Sequence, residues 1–421
     1  MAREMKDSGV AWIGEIPVEW EIGKVKRFYK MTTGFTPDTK NQLFYDDNGY
    51  DWVNIADIQD GKAIWTTKNK ISKLYIDTFH PQITPAGSLL YSFKLSVGQT
   101  AFAGKALYTN EAIASFLSSR KVNLRYLRYS STFIIENAQT NIYNAKILNQ
   151  ELIRNALIIY PPLNEQAQIA DFLDKKCAGI DVVLEKTRTS IEEYKKLKQA
   201  IITQAVTQGV RGDRPMKESG IEWINEIPAD WEVYRGKRLF YETNERSEAG
   251  NEELLTVSHI TGITPRSQKN VNMFMSESLV GYKVCRVGDI AANTMWMWQG
   301  AIGVSAYHGV ISPSYNTYRQ RSETFDSQYL DYLLRIRPLV DMYNACSTGI
   351  TASRLRLYPE QFLSFKFPVP PMEEQREIVC NLGDKVGEVN TLIQKKEQFL
   401  AELETYKKSL IYEYVTGKKE I

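Results

Sequence analysis

The side chains best suited to nucleophilic or metal chemistry are few and scattered in this chain. Its three histidines, His80, His259 and His308, do not have the spacing of metal ligands, and none stands beside a nucleophile motif. Its four cysteines form no C-x-x-C pair, a pattern typical of reduced thiols rather than of a metal centre. We therefore predict surface or core roles for these residues, and no metal site.

The motifs of phosphate and methyl-transfer chemistry are also missing from the sequence. There is no G-x-x-x-x-G-K-[ST] loop for nucleotide phosphates and no G-x-S-x-G nucleophile turn. The two Pro-Pro pairs are followed by Leu163 and Met372, so neither forms the Asn/Asp-Pro-Pro-Tyr/Phe motif of an amino methyltransferase. We expect that the chain catalyses nothing alone and binds no cofactor of its own.

The two Pro-Pro pairs open long segments that repeat each other. Gln166 matches Gln375 and Thr207 matches Thr416, with constant spacing and no gap. Each segment predicts one helix, and about 45 residues at roughly 1.5 Å each give a rod of roughly 65 Å. Apolar residues recur at mixed three- and four-residue spacing, the pattern of a two-helix coiled coil. The alternative is two unrelated amphipathic helices inside larger cores.

The apolar stripe predicted for each helix has the following members. In the first copy it consists of Ile180, Leu184, Thr187, Ile191, Tyr194, Ile201 and Ala205. In the second copy it consists of Val389, Leu392, Lys396, Phe399, Leu403, Tyr406 and Leu410. One such rod has nothing on which to bury its stripe, whereas two in one chain can bury each other.

A second repeat precedes each long segment. The stretch KDSGVAWIGEIPVEW from Lys6 returns as KESGIEWINEIPADW from Lys217, so that Trp20 matches Trp231. We call these stretches the lead segments. Paired tryptophans around an Ile-Pro turn predict a packing role at the start of each domain, and no chemistry.

The regions between the repeats predict two globular domains. They alternate short strands with turns and shorter helices, and 421 residues with 24 Tyr, 16 Phe and 8 Trp can bury more than one core. We predict an α/β (α+β) fold in which two mixed α/β domains, related by a pseudo-twofold, are separated by two long antiparallel coiled-coil helices. The predicted boundaries are residues 1–160, 161–209, 210–369 and 370–421.

Hydropathy bears on where the protein is located, whereas net charge does not show whether it binds nucleic acid. A net charge of +2 neither favours nor excludes nucleic acid. There is no run of 18 apolar residues and the N-terminus is charged, so we expect no membrane span, no signal peptide and a cytoplasmic location. Two domains on a rod of fixed length could read two patches of a duplex, where half-sites on one face lie about 34 Å apart.

Several motifs resemble the specificity subunit of type I restriction–modification systems. They are WIGEIPVEW, GFTPDT, the P-P-x-x-E-Q start of each long helix, and NTMWMWQGAIGVS with ISPSY. The resemblance covers essentially the whole chain, as target-recognition domain, helix, target-recognition domain, helix. It implies a subunit without an active site that reads a bipartite double-stranded DNA target, with a spacer whose length follows the helical rods.

The same resemblance implies partners and cofactors. The family sits between two methyltransferase subunits that use S-adenosylmethionine, and it recruits restriction (motor–nuclease) subunits that use ATP and Mg²⁺. Adenine methylation requires the base to be flipped out, which the partner performs. Residues at the helix starts are candidate methyltransferase contacts, or else simple helix-start residues: Glu165, Gln166, Glu374 and Gln375.

Candidate DNA contacts are carried over on this resemblance. Asn and Gln can bind adenine bidentately, whereas Lys and Arg can bind guanine or phosphate. In the first domain the candidates are Thr36, Ser92, Lys94, Gln99, Asn141 and Lys146. In the second domain they are Asn293, Trp296, Gln299, Ser312, Tyr315, Thr351 and Arg354. Each has an ordinary alternative, such as core packing for Trp296 or a turn for Asn293.

Three other functions remain open at the level of the sequence. The chain could be the equivalent subunit of a combined restriction–methylation enzyme, in which nuclease and methyltransferase share one partner chain. It could instead be a coiled-coil scaffold that joins two protein partners. A self-contained nuclease or methyltransferase is disfavoured by the missing motifs.

Overall fold

A computed structural model describes residues 3–94, 96–140, 146–269, 278–349 and 355–421. The chain packs as two units, a first unit of Met1–Lys186 with Leu400–Ile421 and a second unit of Thr187–Phe399. Each unit contains one mixed α/β body and one segment from each of two long helices. The predicted mixed α/β fold with long helices is confirmed, whereas the predicted domain boundaries stay predictions.

The first body contains short strands and helices before the central long helix. Its strands are β1 (Met5–Asp7), β2 (Glu15–Pro17), β3 (Glu21–Lys24), β4 (Met31–Thr33), β5 (Tyr45–Val53), β6 (Ala63–Ile64), β7 (Lys70–Ile71), β8 (Leu89–Ser92), β9 (Thr100–Ala103), β10 (Tyr108–Thr109), β11 (Ile113–Phe116), β12 (Gln139–Thr140), β13 (Lys146–Ile147) and β14 (Leu157–Tyr160). Its helices are α1 (Val25–Phe28), α2 (Lys73–Phe79), α3 (Leu124–Ser130) and α4 (Gln150–Asn155), followed by the central helix α5 (Leu163–Gln208). Short 3₁₀ turns lie at Gln42–Phe44, Ile55–Asp57 and Ser131–Asn137.

The main sheet of the first body has the strand order β4-β11-β8-β9-β6. Alternate residues of a strand point to opposite faces, and β8 is buried on both. Leu89 and Tyr91 pack with Leu127 of α3, whereas Leu90 packs with Val53 of β5. A second sheet, β10-β5-β7, covers part of that body. β8 and β11 are therefore held by packing on both faces of the sheet, and the loops at their ends start from fixed positions.

The second body repeats this plan and is followed by the C-terminal long helix. Its strands are β15 (Met216–Ile221), β16 (Ile224–Pro228), β17 (Glu232–Arg235), β18 (Phe240–Thr243), β19 (Leu255–Ser258), β20 (Gly262–Pro265), β21 (Lys283–Cys285), β22 (Ile290–Ala292), β23 (Ile302–Val304), β24 (Gly309–Ile311), β25 (Asn316–Gln320) and β26 (Lys366–Val369). Its helices are α6 (Gly236–Leu239), α7 (Ser327–Leu334), α8 (Arg337–Cys346) and α9 (Pro359–Ser364), followed by α10 (Met372–Val415). Short 3₁₀ turns lie at Arg266–Gln268 and Met297–Gln299.

The two bodies share a strand order although their sequences align poorly. The main sheet of the second body runs β18-β25-β22-β23, and all of its neighbouring strands are antiparallel. The first body has β4, β11, β8 and β9 in the corresponding places, again antiparallel. The repeat seen at the ends of each body therefore extends through its sheet, where the sequences alone do not reveal it.

Each lead segment forms a hairpin, β1 with β2 and β15 with β16. The strand that follows then pairs with the last strand of the same body, β3 with β14 and β17 with β26. Trp20 and Trp231 are buried behind these hairpins. The predicted packing role of the lead segments is confirmed.

The two long helices begin and end as the sequence predicts. A Pro-Pro pair precedes each first turn, where proline cannot continue a hydrogen-bonded strand and acidic side chains favour the helix N-terminus. α5 has 46 residues and ends at Gly209, whose φ of +77° favours glycine. α10 has 44 residues and ends near Gly417, with a φ of +71°. One long helix per repeat is thus confirmed.

Within each unit the two helix segments run antiparallel. In the first unit, Lys407 Nζ lies 2.6 Å from Asp181 Oδ1. In the second unit, Lys198 Nζ donates to Asn390 Oδ1 at 3.0 Å. A second contact inside each unit gives the direction, Phe172 with Tyr414 in the first unit and Tyr194 with Lys396 in the second. In each unit the residue number rises along α5 while it falls along α10, which confirms the antiparallel prediction.

The stripe predicted for α10 is partly wrong. Leu392, Phe399 and Tyr406 are exposed, whereas Ile393 is buried and Leu400 is half-buried. The buried positions follow a four-then-three spacing after Val389, and the prediction took three-then-four. Both spacings are compatible with a seven-residue repeat, so the pattern of apolar residues did not distinguish them.

Candidate nucleic-acid interface

Four strand ends meet at one edge of the main sheet in the first body. β4 and β8 end there, and β9 and β11 begin there, because β11 is antiparallel to β4 and β8, and β9 to β8. We call this side the loop edge of the body. Thr36, Lys94 and Gln99 lie in the loops at this edge, and Ser92 is the last residue of β8. The antiparallel sheet therefore brings together four of the predicted DNA contacts.

A carboxylate that the sequence analysis did not single out joins two of these residues. The Thr36 hydroxyl donates to the Glu111 carboxylate, and Lys94 Nζ lies 3.2 Å from Glu111 Oε1. Burial raises the pKa of Glu111, but the hydrogen bonds from Thr36 and Lys94 outweigh it and the pKa is lowered. Glu111 thus stays charged and presents acceptors, next to a cation, on an exposed part of the loop edge.

Ser92 and Gln99 take different positions at the same edge. Ser92 is fully buried, and its backbone N–H donates to the Gln99 carbonyl at 2.9 Å. Its side chain therefore lies beneath the edge. Gln99 is exposed and lines a cleft of about 680 Å³ that also includes Arg128 and Lys407.

The second body presents a loop edge of the same construction, where β18 and β22 end and β23 and β25 begin. Asn293 Nδ2 donates to the Tyr315 hydroxyl at 2.8 Å, and Thr294 Oγ1 donates to the Ser314 carbonyl at 2.8 Å. The Ser312 carbonyl accepts from the Tyr315 N–H at 3.0 Å. The loop after β22 is thereby fastened to the turn before β25, and Asn293, Ser312 and Tyr315 come together.

Two other predicted residues lie further along the loop between β22 and β23. The Trp296 side chain is 48% exposed, so it is not the core residue of the ordinary alternative. Gln299 is half-buried and lines a cleft of about 250 Å³ with Lys198 and Arg335. Asn293, at the start of the same loop, is buried and its Oδ1 accepts from the Met295 N–H, which is the turn role of its ordinary alternative. A DNA-binding role for these residues stays a prediction.

The sequence analysis missed two basic residues, Arg266 and Lys269, which follow the β19–β20 hairpin against which Tyr315 packs. Burial raises the pKa of Tyr315, and the nearby positive charge of Arg266 opposes that shift. Lys269 has its pKa lowered by burial and then by the like charge of Arg266. Two cations kept close together favour an anion such as a DNA phosphate. In the sequence these two residues could have been noticed only as the basic stretch RSQK after β20, which matches no known motif.

Comparison with known proteins agrees with these features. Residues 17–193 match the family model described as the type I restriction modification DNA specificity domain. The chain is 24% identical over 425 residues to the type I restriction enzyme MjaVIII specificity subunit of Methanocaldococcus jannaschii, covering 96% of this chain and 93% of that one. Within residues 17–193 the chain thus resembles a type I DNA specificity domain, and over nearly its whole length it is similar to a type I specificity subunit.

Other known proteins are similar to this chain over a shorter stretch or at lower identity. The type I restriction enzyme EcoBI specificity subunit of Escherichia coli is 25% identical over 169 residues, which is 37% of this chain and 35% of that one. A chain solved in work on the complex assembly and conformational transition of the type I R-M system superposes with a TM-score of 0.69 at 16% identity, covering 96% of this chain and 99% of that one. At that identity the match shows a shared fold.

The residues at the start of each long helix are bonded to side chains of their own unit. Trp20 Nε1 donates to Glu165, and Trp231 Nε1 donates to Glu374, each at 3.0 Å. Arg3 and Arg214 pair with the same two carboxylates. The start of each long helix is thus fastened to its lead segment in the same way in both units.

The neighbouring glutamines fasten the helix starts to a helix of the body. Gln166 Oε1 accepts from the Asn123 N–H at the start of α3, at 3.2 Å. Gln375 Oε1 accepts from the Asp326 N–H at the start of α7, at 2.8 Å. Both glutamines and Glu374 are fully buried, so a partner could touch them only if this packing opened. A partner-binding role for the four residues stays a prediction.

Some of the predicted DNA contacts lie outside the described residues. They are Asn141, Thr351, Arg354 and the side chain of Lys146, whose backbone begins β13. Among the described residues, no group of His, Cys, Asp and Glu could hold a metal ion. No helix within the described ranges is long and apolar enough to cross a membrane.

Proposed function

We propose that this chain is the sequence-specific DNA-recognition subunit of a type I restriction–modification enzyme, and that each body reads one half of a bipartite target. The match to a DNA specificity domain and the similarity to type I specificity subunits support the DNA-recognition role. One observation carries the two-body proposal: both bodies have the same four-strand order but present different side chains at their loop edges. A shared scaffold with two different surfaces suits two different half-sites.

The loop edges carry groups that can read base edges. Gln99 is exposed and can contact adenine, and Glu111 can accept from cytosine N4. Asn293 is buried and bonded to Tyr315 and to the Met295 N–H, so it holds its loop in place. Lys94 can donate to guanine, and Arg266 with Lys269 can contact phosphates. The hydrogen bonds among these groups in the free protein hold them near one another, so less side-chain freedom is lost on binding.

The remaining roles belong to partner chains in this proposal. Two methyltransferase subunits would carry S-adenosylmethionine, and restriction subunits would carry ATP and Mg²⁺, while this chain would position both on the target without catalysing a step. The complex would act on duplex DNA in the cytoplasm. The names of its relatives, specificity subunits of type I restriction enzymes, support a role as one subunit of a larger enzyme.

Methylome sequencing of a host that expresses this chain with a methyltransferase subunit encoded beside it tests the proposal. The expected result is a new split motif with methyladenine in both halves. Replacing Asn293 and Tyr315 together by Ala and Phe should relax the bases of one half only, and Lys94→Ala should affect the other half. Lys195→Ala, which removes an exposed charge on α5, is the matched control and should change neither half.

Two results would reject the proposal. The first is methylation of a continuous motif, which would separate the two bodies from paired half-sites. The second is a methylation pattern that does not change when this chain is omitted, which would leave no recognition role for it.

A further inference from the structure

The loop between β22 and β23 exposes large apolar side chains at the loop edge of the second body. Met295 is 40% exposed and Trp296 is 48% exposed. An isolated exposed apolar residue is ordinary, but two adjacent ones on a functional surface indicate contact with a partner. A partner group is therefore expected to cover Met295 and Trp296.

Hydrogen bonds and a buried anchor hold this loop rigid. The Trp296 N–H donates to the Asn293 carbonyl at 2.9 Å, and the Ala301 N–H donates back to the Trp296 carbonyl at 3.2 Å. Met297 is 1% exposed and packs into the core of the second unit. Gly300 has a φ of +86°, and a Cβ there would lie 2.9 Å from Val340. The loop follows a path that a larger residue at position 300 would disturb.

A second indole fixes the ring of Trp296. The rings of Trp296 and Trp298 are stacked, with centroids 6.1 Å apart and planes 16° from parallel. Trp298 Nε1 donates to the Met295 carbonyl at 3.0 Å, which holds the second ring in place. An exposed ring in a fixed orientation loses little side-chain entropy when another flat group stacks on it.

The groups around this apolar tip suit duplex DNA. Asn293 and Tyr315 supply hydrogen-bonding groups at the base of the same loop. Tyr315 packs against the hairpin of β19 and β20, Arg266 directly follows that hairpin, and the Lys269 N–H donates to the Arg266 carbonyl at 2.9 Å. A flat apolar ring beside hydrogen-bonding groups and cations complements base faces beside base edges and phosphates. This step rests on the proposed function.

We propose that Trp296, with Met295 beside it and Trp298 behind it, is an apolar wedge that stacks on bases of the second body's half-site and opens one base step there. Stacking acts on any base, so the wedge adds affinity without a hydrogen-bond code. It adds selectivity through the step that it opens, because pyrimidine–purine steps unstack most easily.

The first body offers a matched contrast. The corresponding loop, between β8 and β9, reads FKLSVGQ and has no aromatic residue after Phe93, which is buried. Its exposed members include Lys94 and Gln99. The wedge therefore belongs to one half-site, and the two halves of the target are deformed unequally.

Fluorescence of 2-aminopurine tests the wedge. The base is placed at successive positions of both half-sites in the duplex that the methylome defines, and the duplex is bound by the chain with its methyltransferase subunits. The methylated adenines are left unlabelled, because a base flipped out by the methyltransferase would also fluoresce. Fluorescence should rise at one step of the second half-site and at none of the first.

Variants of Trp296 test whether its indole ring causes the rise in 2-aminopurine fluorescence. Trp296→Ala should abolish the rise and weaken binding by about 5- to 150-fold, the range for loss of one base–aromatic stack, with the salt dependence unchanged. Trp296→Phe, which keeps a flat ring, should retain part of the fluorescence rise and part of the binding affinity. Trp65→Ala removes an indole that is 65% exposed elsewhere, in the first body, and should change neither.

The outcomes separate the wedge from the proposed function. If the wild-type complex binds its duplex but the fluorescence is flat, or is unchanged in Trp296→Ala, the wedge is rejected and the recognition role stands. A rise in the first half-site alone also rejects the wedge. If the wild-type complex does not prefer its duplex over an unrelated one, the proposed function itself fails.

Discussion

Replacing Glu374 by alanine should open the lead segment of the second unit from its long helix. The Glu374 side chain is 0% exposed, and it accepts from Trp231 Nε1 at 3.0 Å and from Arg214 Nη1 at 3.0 Å. The guanidinium of Arg214 is itself only 14% exposed and lies over the Trp231 ring. The substitution would therefore leave the buried indole N–H without its acceptor, and would leave the buried Arg214 with only the Gln208 carbonyl at 3.2 Å and the Asp230 carboxylate at 3.8 Å.

The magnitude follows from these losses. Breaking a buried ion pair by removing one partner costs about 3–5 kcal/mol, and an unsatisfied buried donor costs about 1–3 kcal/mol. The two losses share one carboxylate and do not add in full, so we expect about 3–5 kcal/mol for the second unit. The repeat supplies the comparison, since Glu165 makes the same bonds with side chains about one-fifth exposed, 22% for Glu165 and 20% for Arg3. Water can replace part of that loss, and Glu165→Ala should cost about 1–2 kcal/mol.

Hydrogen exchange read by mass spectrometry measures the two effects separately, which matters because a two-unit chain does not unfold as one state. The opening free energy of β15 to β17 should fall in Glu374→Ala, and that of β1 to β3 should fall less in Glu165→Ala. Glu374→Gln keeps an acceptor for the indole and should lie between wild type and alanine. Equal losses in the two units, or a larger loss for Glu165→Ala, would refute the reasoning from burial.

Three further predictions test other features. Ile393→Ala should destabilise the second unit by about 2–5 kcal/mol because it empties a buried site. Leu392→Ala, at an exposed position, is the control and should cost about 0.5 kcal/mol. Equal urea midpoints for the two variants would contradict the observed burial of Ile393 in α10. Burial raises the pKa of Glu111, but its hydrogen bonds lower it below the ordinary value of 4.5, so the first loop edge is stabilised above that pH and loses stability as the pH falls. Glu111→Gln should remove this acid dependence of hydrogen exchange at the loop edge, and a persisting dependence would implicate another group. Lys269→Ala should weaken binding to duplexes of any sequence and lower the salt slope by about one; an unchanged slope would remove Lys269 from the DNA surface.

The long helices were predictable because their signals are local. Pro-Pro starts, glycine ends and a seven-residue apolar repeat all lie within each segment. The register of the second stripe was wrong because both spacings pass through Val389, Lys396, Leu403 and Leu410, and the apolar residues between them fit either choice. The repeat held the missing information, since buried Leu184 of α5 matches buried Ile393.

The loop edges were only partly predictable, because antiparallel pairing brings together residues far apart in the chain. Thr36, Lys94 and Glu111 meet only after β4, β8 and β11 align. The first two were chosen for their side-chain chemistry, whereas Glu111 stands in a turn without a motif. Ser92 has suitable chemistry too, but two-sided burial of β8 places it beneath the surface. Burial of a strand on both faces depends on its neighbours, so this position could not be read from the strand itself.

The pairing of β3 with β14 and of β17 with β26 bears on whether one body can be exchanged for another. Lys24 is the register partner of Leu157, and Arg235 is the register partner of Lys366. The chain thus enters and leaves each body on adjacent strands, so that each body is a closed insertion with both of its junctions at one place. A body of different length or loop sequence can be grafted between such junctions without moving the ends that must be joined. Exchange of whole bodies then requires compatibility at two short strands and not throughout the interior.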